Sequence, residues 1–237
     1  MKLDCDMAEL LGIHIGDGCI SENERYSEYY LGGDITEERV YHDKWVKPLF
    51  DKKVMIPLYG YGVQYKEHPK VGVYGFYIFD KKLTDFFKGF GIEAGSKLNV
   101  KVPKPIFKNK FFIKRFLRGL FDTDGSLCFD KNRGAKIVRN NRPYIELGTV
   151  SKNLIDDLIL MFKKLNLHPM LKKPYKGKKD KHIVYRIKIY RKSEVEFFVN
   201  SIEFKNSKHY TKWLVYKKLG YCPPRTTLKQ RIKILEE

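Results

Sequence analysis

Two aspartates stand in matching stretches of this chain. Asp17 is the eighth residue of Leu10-Leu11-Gly12-Ile13-His14-Ile15-Gly16-Asp17-Gly18, and Asp124 the eighth of Leu117-Arg118-Gly119-Leu120-Phe121-Asp122-Thr123-Asp124-Gly125. Each stretch has Gly at place three, a small residue at place seven, Asp at place eight and Gly at place nine. One Gly-x-Asp-Gly is a common way to end a helix in a turn. Two copies, each after an apolar helical run and each before a strand-like segment, predict one device used twice. Read as helices, residues 7–17 and 111–124 put Gly12 and Gly16, and Gly119 and Thr123, four residues apart. Small residues at that spacing let two helix backbones touch, so Gly12 and Gly119 are the expected packing positions. Gly18 and Gly125 stop each helix and let the chain turn into a strand. Asp17 and Asp124 then lie side by side at adjoining helix C-termini, where the dipole end is already negative. A divalent metal with oxygen ligands is the natural counter-charge.

The elements around these helices repeat. After Gly18, residues 19–36 predict a strand pair turning at Glu22-Asn23-Glu24-Arg25. Thr36 is the expected N-cap of a helix running to about Phe50. Residues 57–67 and 71–79 predict two more strands, and 81–90 a short helix. Val102-Pro103-Lys104-Pro105 breaks the chain. The second pass gives strands 126–130 and 143–151, a helix 153–165 capped by Ser151, strands 170–176 and 182–190, and a helix 194–201. Phe86-Phe87 corresponds to Phe197-Phe198, and Lys97 to Lys208. A closing helix, about 210–219, and a basic tail beyond Pro223-Pro224 complete the chain. The reading is α+β: two pseudo-twofold αββαββα halves, residues 1–109 (linker about 95–109) and 110–237. Each half carries a four-stranded antiparallel sheet, and together they form a saddle around the paired motif helices.

Charge narrows the partner. The 237 residues carry a net charge of +19. Residues 1–109 hold 16 basic and 16 acidic side chains, leaving 31 and 12 in residues 110–237. An excess confined to one half points to a polyanion, most often nucleic acid. A thermophile surface usually adds Glu beside Lys, and the second half does not. Strand 182–190 alternates, with Ile183, Tyr185, Ile187 and Ile189 expected in the core and His182, Arg186, Lys188 and Tyr190 outside. A two-stranded ribbon fits the DNA major groove, where Arg, Lys and Gln read base edges. Further candidate contacts are Gln64, Lys66, Tyr77, Lys172, Lys173, Lys178 and Lys181, with Arg133, Lys136, Arg139 and Arg142 in the long turn of the second half. No apolar run is long enough to span a membrane, and the first residues do not read as a signal peptide. The four cysteines show no CxxC pair and read as reduced intracellular thiols, in cytoplasm or nucleoid. The six histidines lack zinc-binding spacing, and His14 reads as a helix-contact residue.

The doubled motif resembles that of the LAGLIDADG homing endonucleases. The second copy keeps both acids of the family string, Asp122 and Asp124, and the first has Ile15 where the family has its first Asp. The resemblance implies a monomeric, double-motif enzyme of the archaeal intron-encoded or freestanding kind, with no obligatory protein partner. It implies a long asymmetric site on double-stranded DNA, hydrolysis of both strands and short 3′ overhangs. Asp17 and Asp124 would anchor Mg²⁺, or Mn²⁺ in its place, with the carbonyls of Gly16 and Thr123 nearby. Lys97 and Lys208 would point at the scissile phosphates, and Glu37 and Lys152 would order water. The first residue is Met and no His-Asn pair ends the chain, so intein splicing is not expected. The alternatives on the same fold are an intron RNA maturase and a non-cleaving DNA-binding regulator.

Overall fold

The computed structural model describes residues 2–131, 140–178 and 180–237. Arg133, Lys136 and Arg139 lie outside the described residues. The first motif helix, α1 (Cys5–Asp17), opens on Asp4, whose side chain accepts the Met7 N–H at 2.8 Å. It is buried on every face from Met7 to Gly16, because it runs between the two halves. Strands β1 (Gly18–Glu22) and β2 (Ser27–Asp34) follow.

The next helix departs from expectation. Thr36 is not its cap: the Asp34 carboxylate takes the N–H groups of Thr36 and Glu37, both at 2.8 Å, and closes a turn. The helix, α2 (residues 39–59), runs past Phe50 and through Pro48 and Pro57 to an end at Gly60, which is left-handed with φ 79°. A proline inside a helix lacks an N–H and clashes with the carbonyl four residues back. Here each proline follows one wide π-type turn, His42–Val46 or Asp51–Met55, which opens the ladder enough to admit the ring. Residues expected to start a strand at 57 are therefore helical. Strand β3 is only Lys66–His68, paired with β4 (Val73–Phe79), and α3 (Lys81–Lys88) closes the first half.

The second motif helix, α4 (Lys110–Thr123), is capped by Asn109 on Phe112 N–H at 2.8 Å. Strands β5 (Gly125–Lys131) and β6 (Asn140–Thr149) precede α5 (Lys152–Lys164), capped by Ser151 as expected. Strand β7 is reduced to Met170–Leu171, with one further bridge between Tyr175 and Val184, and β8 spans Tyr185–Ile189. Ile183 is thus 45% exposed and not in the core. The remaining helices are α6 (residues 192–202), α7 (Ser207–Leu219) and α8 (Leu228–Glu236). The basic tail beyond Pro223-Pro224 forms a docked helix with a complete Thr227–Gln230 capping box. Each half holds an antiparallel sheet of four strands, ordered β1-β2-β4-β3 and β5-β6-β8-β7. One apolar face of each packs on its helices, through Tyr29, Phe50, Phe76 and Phe87 in the first half and Phe121, Phe162 and Phe198 in the second.

The halves meet where α1 crosses α4. A methyl group on Gly12 would run into the carbonyl oxygen of Phe116 and come within 2.9 Å of the Leu120 nitrogen. A methyl group on Gly119 would run into the carbonyl of Glu9 and come within 2.8 Å of the Ile13 nitrogen. The contact is reciprocal, backbone against backbone. Gly18 and Gly125 have another role than the one expected of them. Gly18 is extended (φ −85°), and what requires glycine is space, since a side chain would strike the last turn of α1 at His14.

Candidate active site

At the end of this crossing the two helix C-termini adjoin. A methyl on Gly16 would collide with the Thr123 side chain and stand 3.5 Å from the Asp124 nitrogen. Each terminus leaves carbonyl oxygens without helical partners, and a lysine covers one on each side. Lys97 Nζ donates to the carbonyl of Gly16. Lys208 Nζ donates to the carbonyl of Thr123 at 3.0 Å. Lys97 sits in a short turn opened by Ser96, and Lys208 in the first turn of α7, capped by Asn206. The structure thus brings Asp17, Asp124, Lys97, Lys208, Gly16 and Thr123 into one cluster.

Burial pushes the Asp17 carboxyl well above the usual carboxylate range, and the negative charges of Glu38 and Asp124 add to it; Lys208 and Lys97 oppose the shift. Asp124 is raised too, by burial first, with Lys97 and Lys208 opposing and Glu38 adding. Oδ2 of Asp17 is buried and has no hydrogen-bond partner. An orphaned carboxylate oxygen beside a second acid suits a hard cation with oxygen ligands. Three acids, the buried Glu38, the half-buried Asp17 and the more exposed Asp124, share this cluster with two lysines. Among the described residues no group of three His, Cys, Asp or Glu side chains converges to hold a metal by itself. Phosphate oxygens and water would complete the shell of an ion held by Asp17 and Asp124.

Glu37 and Lys152 lie elsewhere. Glu37 accepts the Leu228 N–H at 3.2 Å, and Lys152 pairs with Asp156 on the surface at 2.7 Å. The neighbouring Glu38 is the acid in the cluster. It is 5% exposed and binds Lys208 Nζ at 2.5 Å, Asn206 Nδ2 at 2.9 Å and the Asp34 N–H at 2.8 Å. Asp122, fully buried, accepts the N–H groups of Lys205 and Asn206, and burial pushes it up to about 8. It is a socket for the segment that carries Lys208. Its signal in the sequence was its place as the first acid of the second motif.

The candidate DNA contacts divide. Gln64, Lys66, Tyr77, Arg142, Lys172, Lys173, Lys178, Lys181, His182 and Arg186 are exposed. Lys188 and Tyr190 are half-buried: Lys188 is ion-paired with Glu146 and lies 4.3 Å from the Tyr144 ring centre, so its charge is spent within the sheet. Tyr77 binds His68 and stacks on Tyr30, while Tyr190 stacks on Tyr144. Each sheet thus presents a cross-strand tyrosine pair.

Paired αββαββα halves crossing on glycines, with an Asp at each helix end, define the double-motif LAGLIDADG architecture. Residues 111–203 match the family model of the LAGLIDADG-like domain. A DNA polymerase of Thermococcus litoralis is 34% identical over 155 residues, covering 63% of this chain and 8% of the polymerase. An RNA polymerase subunit, Rpo1C, of Methanocaldococcus jannaschii is 23% identical over 213 residues, covering 85% of this chain and 22% of the subunit. The chain therefore spans a small part of these relatives. Among solved structures, variants of the homing endonuclease I-DmoI superpose with a TM-score of 0.58 at 17% identity, covering 84% of this chain and 95% of that one. I-SmaMI, bound to uncleaved DNA with calcium, superposes with a TM-score of 0.56 at 11% identity, covering 92% and 91%. The match to the LAGLIDADG-like domain lies in the second half of the chain, and the fold of the whole chain is the one these homing endonucleases have.

Proposed function

We propose that this chain is a site-specific DNA endonuclease that hydrolyses both strands of a long, asymmetric duplex site as a monomer and leaves short 3′ overhangs. The observation that carries the reading is the pair Asp17 and Asp124 at adjoining helix ends, each beside a carbonyl held by a lysine. Two acids so placed can attend two phosphates, one on each strand. Asp17 and Asp124 would hold the divalent ion, Mg²⁺ with Mn²⁺ as substitute; when bound, it activates water and stabilises the leaving 3′ oxygen. Lys97 and Lys208 place ammonium charge where the attacked phosphate becomes more negative. The exposed bases of the second half hold the DNA backbone.

The similar proteins support this reading. Structures of I-DmoI and I-SmaMI contain DNA with calcium, and another of I-DmoI contains manganese. A DNA polymerase and an RNA polymerase subunit share this segment. Their named activities differ, so the segment brings something of its own. The test is incubation with Mg²⁺ and a randomised duplex library, followed by mapping of the ends. Paired breaks within one long consensus are expected. Intact duplexes with Mg²⁺ and with Mn²⁺ would sink the reading, and retention of folded RNA in preference to duplex DNA would replace it with the maturase alternative.

A further inference from the structure

The last helix reaches back to the site. Arg231 on α8 is 1% exposed. Its Nε donates to Thr211 Oγ1 at 2.9 Å, its Nη2 to the carbonyl of Lys208 at 3.3 Å, and its Nη1 to the carbonyl of Thr226. At the start of α8 the Leu228 N–H donates to Glu37 Oε1 at 3.2 Å, and the other Glu37 oxygen lies 4.0 Å from Arg231. One helix therefore holds the main chain of Lys208 in the second half and the residue beside Glu38 in the first. Lys208 and Glu38 are themselves bonded. The helix straps the two ends of that bridge from behind. Among the described residues no buried guanidinium stands beneath Lys97, so the two lysines are not held alike.

A lysine side chain has many rotamers, and ordering it costs free energy each time it must find one position. A fixed main chain under Lys208 and a fixed Glu38 beside it remove most of that search. We infer that Arg231, with Glu37, is a positioning residue for Lys208 and so for the cleavage of one strand. The inference rests on the reading above, in which Lys208 attends a scissile phosphate.

The test follows each strand of the selected duplex separately by end label, with Mg²⁺, well below the thermal midpoint of every variant. Lys208→Met identifies the strand that depends on Lys208. Arg231→Met should slow that same strand by about ten- to a hundredfold, the scale of a small misplacement at a reacting centre, and leave the other strand within about twofold. Arg231→Lys should recover part of the loss, and Glu37→Ala should reproduce it more weakly. A second readout needs neither metal nor DNA: the rate at which a small acylating reagent labels the Lys208 amine, read by mass spectrometry. Arg231→Met should raise labelling of Lys208 severalfold and leave Lys97 unchanged. Equal slowing of both strands, or unchanged labelling of Lys208, would overturn the inference. If Arg231→Met and Glu37→Ala both fail to fold, α8 is a structural clamp and the positioning role is lost. If wild type cuts no duplex, the nuclease reading falls, while the labelling ratio still reports on Arg231 and Lys208.

Discussion

Asp17 and Asp124 occupy a place that raises the cost of their charge, and that cost is what makes them informative. Asp124→Asn keeps shape and removes the anion. The variant should lose double-strand cleavage and keep duplex affinity within about tenfold, because the residue is proposed to anchor metal and does not face a groove; undiminished cutting at saturating Mg²⁺ would remove it from the site. Asp17→Asn should behave alike. His14 offers a test of burial by pH. It is hydrogen-bonded to Tyr29 at 3.1 Å and stacked on Phe87, and burial, with the Lys97 charge, lowers it to about 3. The unfolded chain takes up a proton at His14 below about pH 6.5 and the folded chain does not. Stability from this residue is therefore present above pH 6.5 and lost as pH falls toward 3, amounting to about 2 kcal/mol between pH 7 and pH 5. His14→Leu should lose about 2 kcal/mol less than wild type over that interval in urea unfolding. The aspartates and lysines were legible because a doubled motif and matching loops marked them. Glu38 was not. The Asp34 turn rotates residue 38 inward and residue 37 toward α8, and no periodicity in sequence reports the rotation of a non-repeating turn.

At the scale of elements, the crossing of α1 and α4 depends on two absent side chains. Gly119→Leu would force a branched group into the carbonyl of Glu9, with backbone on both sides and no flexible neighbour to yield. Overpacking of this kind costs a few kcal/mol, so the variant should melt many degrees lower or fail to fold. A midpoint equal to wild type by calorimetry would show that the helices do not need this contact. Pattern predicted the motif helices and the αββαββα order because their apolar periods are long and their caps are local. It missed the true length of α2, since a proline in a sequence ordinarily marks a helix end and two π-type turns here cancel that rule. It overdrew β3 and β7, where tyrosines and lysines in loops imitate strand composition without forming the ladder.

For the whole molecule, the decisive asymmetry is charge. The second half carries the whole excess, and Lys172, Lys173, Lys178 and Lys181 are exposed on it. Neutralising these four should weaken binding to every duplex and flatten the dependence on salt by about one unit per lost phosphate contact. Neutralising Lys66 and Lys70 in the first half should do less. In footprints at rising salt, protection should fail first over the half-site held by residues 1–109; simultaneous failure, with equal slopes for the two sets, would reduce the bias to surface composition. The all-round burial of α1 has a consequence for how such a chain is made. Glu9 lies within α1, and its buried carboxylate is met by Arg115 and Arg118 of α4. Those partners are translated more than a hundred residues later, a delay of roughly 5–20 s at ordinary elongation rates. Through that interval a helix that the finished fold buries from Met7 to Gly16 waits at the ribosome with its glycine groove open. The most similar groove within reach belongs to another nascent copy emerging from the same message. The repeated motif gives each helix a mate, and it also makes every newborn chain a competitor for its neighbour's.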